Sequence, residues 1–513
     1  MSEIKKALIS VWDKRGVVEI AEFLNDKNVE IISTGGTSKI INDANIPTID
    51  VSEITKQKEI MGGRVKTLHP NIFGGILVDR NNDSHIEDLE LMNAMSIDIV
   101  IINLYPFKSE AVEKELELSK AIEFIDIGGP SMLRAAAKNF QHVIPLCSTS
   151  QYKGFIDLYT ANNGFFSFEE RTVFAKKVFS LTLEYDAMIN RYFQEKTDGV
   201  DEINLNFRKQ QELRYGENPH QSSSFYLPDN EKISINQLHG KKLSYNNYFD
   251  VESAISIVYE FDDLSCSIIK HSNPCGFGKG LNNLEAYLNA VSTDPVSYFG
   301  GIVAFNSEVD FDSANEMKKS FLECIVAPSF SKEALEILKA KKNLRLIEVD
   351  KLRFLNDYNN NMYRSVFNGI LFQQKDHFIR DENNFEIVTR KKPTKKEFNA
   401  LLLGWKLVKF VKSNAIVFND DTRLLGVGAG QMSRIDSVKI AISKAKENNL
   451  DLNGSIMASD AFFPFADSIE IAAKEGVSSI IQPGGSIKDD EVIEIANNLN
   501  ISMLLTKERH FYH

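Results

Sequence analysis

The chain is poor in cysteine: its 513 residues include four, and no two of them have a Cys-x-x-Cys spacing. This pattern excludes the common zinc and dithiol motifs and favours reduced thiols. The sequence also lacks an apolar run long enough to span a membrane. No apolar segment with a small-residue cleavage site follows Met1, so a secretory signal is not expected. We therefore expect a cytoplasmic protein that does not interact with membranes.

Positive charge is also in deficit, because 59 Lys and Arg face 71 Asp and Glu, for a net charge of −12. General nucleic-acid binding requires a basic surface, so no nucleic-acid partner is expected. A local basic pocket for an anionic small molecule remains compatible with this balance. The composition, 43% hydrophobic and 25% charged, is that of a globular protein. The length predicts two or more domains.

Short apolar strands alternate with amphipathic helices over the first 150 residues. Predicted strands are 7–12, 29–33, 97–104, 122–127 and 142–147, and predicted helices are 16–27, 38–44 and 131–139. This alternation indicates an α/β fold with a parallel sheet, whose ligands bind beyond the carboxyl ends of the strands. A long helical pattern at 168–193 is followed by the polar segment 194–201, which we interpret as a linker.

The remainder of the chain again alternates strands and helices. We predict domains at 1–199 and 200–513, and the second shows a weak echo between its two halves. The echo suggests two lobes, roughly 200–370 and 371–513, but the sequence shows no true repeat.

The pair Lys270-His271 is the most informative feature of the second domain. It ends an apolar run, and Asn-Pro and three glycines after it are expected to stop regular structure. Histidine can accept a proton near neutral pH, and lysine can stabilise a developing negative charge. The alternative is a surface dipeptide beside a turn.

Several motifs of the first domain could bind an anion or transfer protons. Residues 34–37, Thr-Gly-Gly-Thr, join a strand to a helix and resemble a phosphate cradle. Arg64 and Lys66 alternate along one side of an extended segment, where Lys14 could join them. Carboxylate, ammonium and phenol groups near predicted element ends are acid–base candidates, namely Asp126, Lys138 and Tyr105. Each of these residues alone could equally be structural.

The second domain adds arginines and an aromatic cluster. Arg214 and Arg434 follow or flank Gly-rich turns and suit a phosphate. Residues 460–467 place phenylalanines between carboxylates, which could hold a flat heteroaromatic ligand, although ordinary core packing is the simpler interpretation. The terminal strand 501–505 leads into Arg509.

These motifs occur in one order along the chain. They are Gly-Gly-Arg64-Val-Lys66-Thr-Leu-His-Pro, Asp126-Ile-Gly-Gly, Ala-Ala-Ala-Lys138-Asn, Leu-Arg214-Tyr-Gly-Glu-Asn-Pro-His-Gln, Lys270-His271-x-Asn-Pro-x-Gly, Asp294-Pro-Val-Ser-x-Phe299-Gly-Gly and Ser-Asp-Ala-Phe-Phe-Pro-Phe. With these motifs in this order, the chain resembles the bifunctional purine biosynthesis proteins that join AICAR formyltransferase to IMP cyclohydrolase. The resemblance runs from Ser10 to His513.

The resemblance implies a methylglyoxal-synthase-like parallel-sheet domain and a two-lobed, cytidine-deaminase-like transferase domain. The second would transfer a formyl group from 10-formyltetrahydrofolate to AICAR, and the first would close the product, FAICAR, to IMP with loss of water. It implies a folate co-substrate and no catalytic metal, and leaves a monovalent cation open. It also implies a homodimer with the transferase site at the subunit interface.

The resemblance also assigns site residues. For formyl transfer it implies His271 as catalytic base and Lys270 as its electrostatic helper. Its transferase-site positions are Arg214, Tyr215, His271, Phe299, Gly300, Glu323, Asn414, Arg434, Ile435, Phe462, Asp467, Ser486, Ile487 and Arg509. For ring closure it implies Lys66, Tyr105, Asp126 and Lys138 as the catalytic group. Its cyclohydrolase-site positions are Ser10, Lys14, Thr34, Gly35, Gly36, Thr37, Arg64, Val65, Lys66, Thr67, Ile102, Asn103, Asp126 and Ile127.

Trp12 departs from the family pattern, since many relatives have a small hydroxyl residue there. A tryptophan could narrow the pocket, which leaves a formyltransferase with a decayed cyclohydrolase site as an alternative. A nucleotide-binding sensor without turnover is a second alternative. The Lys270-His271 and Lys66/Lys138 sets disfavour the sensor, because binding alone does not need both.

Overall fold

Two compact units, Met1–Asn206 and Phe207–His513, make up the protein. The computed structural model describes residues 4–57, 60–61, 65–197, 203, 205–228, 231–358, 361–376 and 384–513. Each unit has its own sheets and its own buried apolar clusters.

The first unit contains one five-stranded sheet among its described residues. Its elements are β1 (Lys6–Val11), α1 (Val17–Asp26), β2 (Glu30–Ser33), α2 (Gly35–Asp43), β3 (Thr48–Asp50), α3 (Val51–Thr55), α4 (Pro70–Leu77), α5 (Asp83–Leu91), β4 (Ile99–Asn103), α6 (Leu118–Ala121), α7 (Gly128–Lys138), β5 (Ile144–Leu146), α8 (Tyr152–Ala161) and α9 (Phe168–Lys196). The strand order is β3-β2-β1-β4-β5, and every neighbouring pair is parallel. The predicted parallel α/β sheet is therefore confirmed.

Both faces of this sheet are buried, which explains why its strands are apolar throughout. Along β1, Ala7 and Ile9 pack into one apolar cluster with α1 and α8, and Leu8 packs into another with α4 and α7. Successive side chains of a strand point to opposite faces, so a strand covered on both sides needs no polar alternation.

The strand predicted at 122–127 is wrong. Ile122–Phe124 form a single 3₁₀ turn, and the chain then runs directly into α7. Phe124 and Ile125 are apolar because they pack against Tyr185 and Tyr192 of α9, not because they lie in the sheet. An apolar run of this length does not distinguish the two environments.

The second unit contains the remaining elements. They are β6 (Phe207–Glu212), β7 (Ser224–Pro228), β8 (Ile235–His239), α10 (Tyr245–Val258), β9 (Ser265–Lys270), β10 (Asn273–Lys279), α11 (Asn283–Thr293), β11 (Ile302–Phe305), α12 (Phe311–Met317), β12 (Cys324–Ala327), α13 (Lys332–Lys339), β13 (Arg345–Val349), α14 (Lys351–Tyr358), β14 (Asn361–Val366), β15 (Gly369–Gln374), β16 (Glu386–Ile387), α15 (Lys395–Val408), β17 (Ile416–Asn419), β18 (Leu424–Gly428), α16 (Arg434–Glu447), β19 (Ile456–Ser459), α17 (Asp467–Lys474), β20 (Ser479–Gln482), α18 (Asp489–Asn498) and β21 (Ser502–Leu505).

Two six-stranded sheets of identical topology form the two lobes of this unit. Their orders are β10-β9-β11-β12-β13-β8 and β18-β17-β19-β20-β21-β16. In both, the two central pairings are parallel and the outer three antiparallel. The weak echo in the sequence is thus a structural repeat. Helices α10 and α15 contribute to one apolar cluster that contains strands of both sheets, so the lobes share a core.

The glycines after Lys270-His271 do not stop regular structure, contrary to the sequence-based expectation. Gly276 and Gly278 lie in β10, which pairs with β9 and shifts register between Pro274 and Gly276, and Gly280 follows its last residue. A Cβ on Gly276 would lie 2.2 Å from the carbonyl oxygen of Ala290 in α11. Gly276 therefore allows a helix to approach the strand closely. Gly428 of β18 has the same relation to Ser437 of α16, with 2.0 Å to its oxygen.

Gly276→Ala is expected to destabilise the protein by about 1–3 kcal/mol, because the new methyl group would overlap backbone that cannot move aside. Gly154→Ala in α8 is the matched control, since nothing lies within 4 Å of its Cβ position. The control should raise stability by about 0.5–1 kcal/mol through helix propensity. Urea unfolding measures both, and equal effects would contradict the close approach.

Candidate active sites

The first candidate site lies at the carboxyl ends of β1, β2 and β4. Ser10 and Thr34 share a hydrogen bond of 2.9 Å between their hydroxyls. Lys14 Nζ donates to the carbonyl oxygen of Val11 and, at 3.0 Å, to Thr37 Oγ1. Burial lowers the pKa of Lys14. The structure therefore brings these predicted residues together around the start of α2.

Gly35 and Gly36 form the first turn of α2, because this helix begins three residues earlier than predicted. The first N–H groups of a helix have no partner within it and can bind an anion. Lys66 Nζ lies 3.1 Å from the Cβ position of Gly35, which has a φ of +43°. An ammonium group thus faces the start of this helix. Arg64 lies outside the described residues.

Lys66 also acts on Asp50, the last residue of β3. Burial raises the pKa of Asp50, but hydrogen bonds from Ser52 and the charge of Lys66 outweigh it, so the net pKa is lowered. A carboxylate is therefore present beside the lysine at neutral pH. Sequence reasoning missed Asp50, since a lone aspartate before a helix ordinarily indicates only a cap.

Asp126 lies in the turn before α7. Its Oδ1 accepts from the backbone N–H of Gly129 at 2.8 Å, and Tyr105 and Gly128 also contribute backbone N–H groups. Burial raises the pKa of Asp126, and these donors oppose the shift only in part. The Cβ position of Gly128 lies 3.1 Å from Thr67 Oγ1, so the segment that carries Lys66 reaches the start of α7.

Trp12 and Tyr105 form an exposed aromatic pair beside this cluster. Their ring centroids are 4.9 Å apart with an interplanar angle of 73°, an edge-to-face contact. Trp12 is 48% exposed and Tyr105 43%. The backbone before and after Trp12 is fixed by Asn103, whose Oδ1 accepts from the N–H groups of Trp12 and Asp13 at 2.6 and 2.8 Å.

Lys138 is not brought to this cluster in the described unit. It ends α7, so at 1.5 Å per residue its Cα lies about 15 Å along the helix from Gly128. The next residue, Asn139, donates to the carbonyl oxygens of Ile76 and Val78 at the end of α4. Of the remaining predicted positions, Ile102 is 2% exposed in the core, Ile127 is 59% exposed, and Val65 forms an isolated bridge with Ile60.

The second candidate site begins where β9 ends. Lys270 Nζ donates to the carbonyl oxygen of Phe299 at 2.6 Å, and it lies 3.2 Å from the Cβ position of Gly300. This contact occupies one of the three ammonium donors and leaves two. The Gly300 N–H donates to the Phe321 oxygen at 2.8 Å, and Glu323 follows with a salt bridge to Arg345. The segment 299–301 directly precedes β11.

His271 is the first residue of the two-residue turn between β9 and β10. His271 and Ser272 have φ values of 52° and 58°, as a type I′ hairpin requires. His271 is exposed. The turn is tied to the second lobe, because Asn273 Oδ1 accepts from the backbone N–H of Lys412 at 3.1 Å.

Asn414 and Arg434 lie close to each other in the second lobe. Arg434 is buried, and its guanidinium donates to Asn414 Oδ1 at 2.9 Å, to Ser459 Oγ at 2.8 Å and to the carboxylate of Asp460. Arg434 therefore holds Asn414 and Asp460 in place rather than offering an unpaired charge. A glycine-rich motif before an arginine cannot reveal that the guanidinium is neutralised by a residue 26 positions away.

Of the three arginines predicted for the transferase site, Arg214 and Arg509 are exposed. The guanidinium of Arg214 lies 5.3 Å from the ring centroid of Tyr215, and that of Arg509 lies 4.3 Å from Phe511. Phe462 is 39% exposed, whereas Phe463 is core. The remaining predicted residues lie at two helix starts and one loop: Ile435 in α16, Asp467 in α17, and Ser486 and Ile487 after β20.

In the part of the chain that the structure describes, neither a candidate metal centre nor a candidate membrane span is present. There, no group of three or more His, Cys, Asp and Glu residues is arranged to hold a metal ion. None of the helices there has both the length and the apolar character needed to cross a membrane.

The first unit is a parallel α/β domain with polar and cationic groups at its strand ends, where such sheets bind their ligands. The comparisons with known proteins specify the class. Residues 16–131 match the MGS-like domain model, and residues 136–444 match the model of the AICARFT/IMPCHase bienzyme. Proteins named bifunctional purine biosynthesis protein PurH are similar over the full length. Those of Caldicellulosiruptor saccharolyticus, Listeria monocytogenes and Halalkalibacterium halodurans are each 48% identical, over 99% of this chain and 100% of the relative.

The chain belongs to the AICARFT/IMPCHase bienzyme family. It is accordingly a bifunctional enzyme of purine biosynthesis, with formyltransferase and IMP cyclohydrolase activities, and it uses a folate co-substrate.

Proposed function

We propose that the two reactions are divided between the two units. The second unit transfers the formyl group of 10-formyltetrahydrofolate to AICAR, and the first closes FAICAR to IMP. The observation that carries this proposal is the presence of two separate clusters of proton-transfer and anion-binding groups, one in each unit. Feeding AICAR with the folate, and FAICAR alone, tests the two activities independently.

In formyl transfer, the 5-amino nitrogen of AICAR attacks the formyl carbon. This amine is conjugated with its ring and is a poor nucleophile, so His271 removes its proton as the bond forms. The formyl oxygen gains negative charge, and Lys270 stabilises it with the donors that Phe299 leaves unused. Collapse of this tetrahedral intermediate breaks the bond between the formyl carbon and N10 of the folate, and the proton taken from the amine goes to that nitrogen as tetrahydrofolate leaves. Exposed Arg214 and Arg509 bind the anionic nucleotide, and Glu323 and Asn414 its polar groups.

In our proposal, the nucleotide-base and folate side of this site is formed by Phe462, Ile435, Asp467, Ser486 and Ile487. Exposure of the Phe462 ring supports it, because a flat heteroaromatic ligand needs a free aromatic face. No catalytic metal is proposed, and a monovalent cation in this unit stays open.

In ring closure, the carboxamide nitrogen of FAICAR attacks the formyl carbon within the same molecule. Holding the two groups close supplies much of the acceleration. The start of α2 and Lys14 bind the phosphate, and Lys66 stabilises the developing oxyanion. Asp126 with Tyr105 moves one proton from the carboxamide nitrogen and one from the formamide nitrogen to the former formyl oxygen, which leaves as water when its bond to carbon breaks. The family role of Lys138 stays a prediction, since the described unit provides no contact between Lys138 and Asp126.

The rate of FAICAR cyclisation is expected to fall as the pH is lowered, and this fall should begin at a pH above the ordinary pKa of an aspartate. Burial raises the pKa of Asp126, so its carboxylate forms only as the pH rises through that higher value. Asp126→Asn keeps an acceptor for the Gly129 N–H and should be slower, with this fall removed. A pH–rate profile of both proteins is the measurement, and an unchanged fall in Asp126→Asn would exclude Asp126 as its source.

A formyltransferase with a decayed cyclohydrolase site, the alternative that Trp12 raised, is disfavoured because the family carries both activities, although the Trp12 ring lies against Tyr105 at this site. Rapid conversion of FAICAR to IMP by the purified protein rejects it. Slow conversion at the spontaneous rate would support it.

Trp12 also provides a reporter of nucleotide binding. The chain has two tryptophans, and Trp405 is fully buried in the other unit. Titration with IMP should therefore change the exposed Trp12 emission, and Trp12→Phe should remove the change while keeping an aromatic ring against Tyr105. Fluorescence that IMP leaves unaltered in the wild-type protein would contradict a nucleotide pocket beside Trp12.

The enzyme is further proposed to be a cytoplasmic homodimer with the transferase site at the subunit interface. Exposed apolar side chains on β15, among them Leu371 at 60%, support a covered surface in the second unit. Sedimentation of the purified protein tests the oligomeric state.

A further inference from the structure

The turn that carries His271 is conformationally costly. Both of its residues have left-handed φ values, 52° and 58°, and neither is glycine. Such a conformation is unfavourable for a residue with a side chain, and it persists only where surrounding contacts hold it. Contacts around the turn must therefore hold it in this conformation.

Asp250 of α10 provides the most direct contact. Its Oδ1 accepts from the backbone N–H of Ser272 at 2.7 Å and from the Ser272 hydroxyl at 3.3 Å. The helix that carries Asp250 is itself fixed to β9, because Ser267 Oγ donates to the carbonyl oxygen of Ala254 at 2.9 Å. The carboxylate is therefore held by a rigid element and not by a loop.

The environment of Asp250 shows that this carboxylate is not an ordinary surface group. Burial raises its pKa, while the donors of Ser272 and the charges of His271 and Lys270 act in the opposite direction. On the other side of the turn, Asn273 Nδ2 donates to the His271 carbonyl oxygen at 3.1 Å. The turn is thus fixed on both sides.

We propose that Asp250 is a positioning residue for formyl transfer, which fixes the His271–Ser272 turn so that the imidazole faces the AICAR amine. The inference rests on the proposed role of His271. Asp250 acts through the turn and does not touch the substrate. Its hydrogen bond to the Ser272 N–H, rather than its charge, carries this role.

Asp250→Ala is expected to lower kcat for formyl transfer by about 10–100-fold, because a displacement of about 1 Å at a catalytic group can cost that much. The KM for AICAR should stay within about twofold, since the binding residues are untouched. Asp250→Asn keeps an acceptor at Oδ1 and should stay within about threefold of wild type. FAICAR cyclisation, measured on the same preparations, reports folded protein and should not change.

A double-mutant comparison separates positioning from general stabilisation. In the His271→Asn background, Asp250→Ala should lower kcat for formyl transfer by a further factor of less than about three, because there is no imidazole left to position. If Asp250→Ala lowers the thermal midpoint below the assay temperature, Asp250→Glu replaces it, since it keeps the charge and displaces the acceptor by one methylene. Its kcat should fall as well.

Three results would overturn the inference. The first is a wild-type kcat in Asp250→Ala, or in Asp250→Glu where that variant replaces it. The second is an equal loss of kcat in Asp250→Ala and Asp250→Asn, and the third is a loss of kcat that multiplies with that of His271→Asn in the double variant. A different result, full activity of His271→Asn itself, would refute the proposed catalytic base. The two failures are therefore distinguishable.

Discussion

Replacing His271 by asparagine is expected to lower kcat for formyl transfer by about 10²–10⁴-fold, the usual contribution of a positioned general base. Asparagine is the better substitution because it tolerates the left-handed φ of this turn, whereas alanine adds backbone strain. The amide cannot accept the proton of the AICAR amine at neutral pH. Initial rates of tetrahydrofolate release measure the effect.

The internal control for this variant is the other activity. FAICAR cyclisation should stay within about twofold of wild type, because no cyclohydrolase residue is changed. Equal loss of both activities in a folded protein would contradict the assignment of His271 to one site. Lys270→Gln, which keeps a donor for Phe299 but removes the charge, should lose formyl transfer to a smaller extent.

Lys66→Met is expected to lower kcat for FAICAR cyclisation by about 10²–10³-fold, the cost of removing a donor to a developing oxyanion. Methionine keeps the length of the side chain but removes the ammonium that faces the start of α2. The assay follows IMP formation from FAICAR by absorbance.

Lys39→Met on α2 is the matched control, because it removes a lysine from the same unit at a position with no assigned role. It should leave cyclisation unchanged, and both variants should retain formyl transfer. A Lys66→Met protein that cyclises FAICAR at the wild-type rate would exclude Lys66 from the site.

Four of the five strands of the first unit could be predicted from sequence because their signal is local, whereas the three-residue strand β3 was not predicted. β1, β2 and β4 are short apolar runs bounded by turn residues, as strands that are buried on both faces require. The segment 122–127 has the same composition but packs against α9, and only the tertiary structure distinguishes the two cases. The glycines of β10 led to the opposite error. They predicted a loop, whereas in the structure they lie in a strand and allow close packing.

The candidate sites, too, could be predicted from the sequence only in part. The resemblance supplies the residues that would touch substrate, whereas the residues that hold them are dispersed: Asp250 contacts a turn 22 positions later, and Asp460 neutralises Arg434 over 26 positions. Nothing in a single sequence marks such pairs. The repeat of the two lobes shows in the sequence only as a weak echo, because it is a repeat of strand order and helix contact rather than of residue identity.

The central claim, two independent sites for two consecutive reactions, is tested most directly by mixing two singly impaired proteins. His271→Asn and Lys66→Met are each incubated with AICAR and 10-formyltetrahydrofolate, separately and together, and IMP is measured. Each alone should form little IMP, the first for lack of FAICAR and the second with FAICAR accumulating. The mixture should restore rapid IMP formation. A mixture that forms no more IMP than the sum of the two separate reactions would contradict the account.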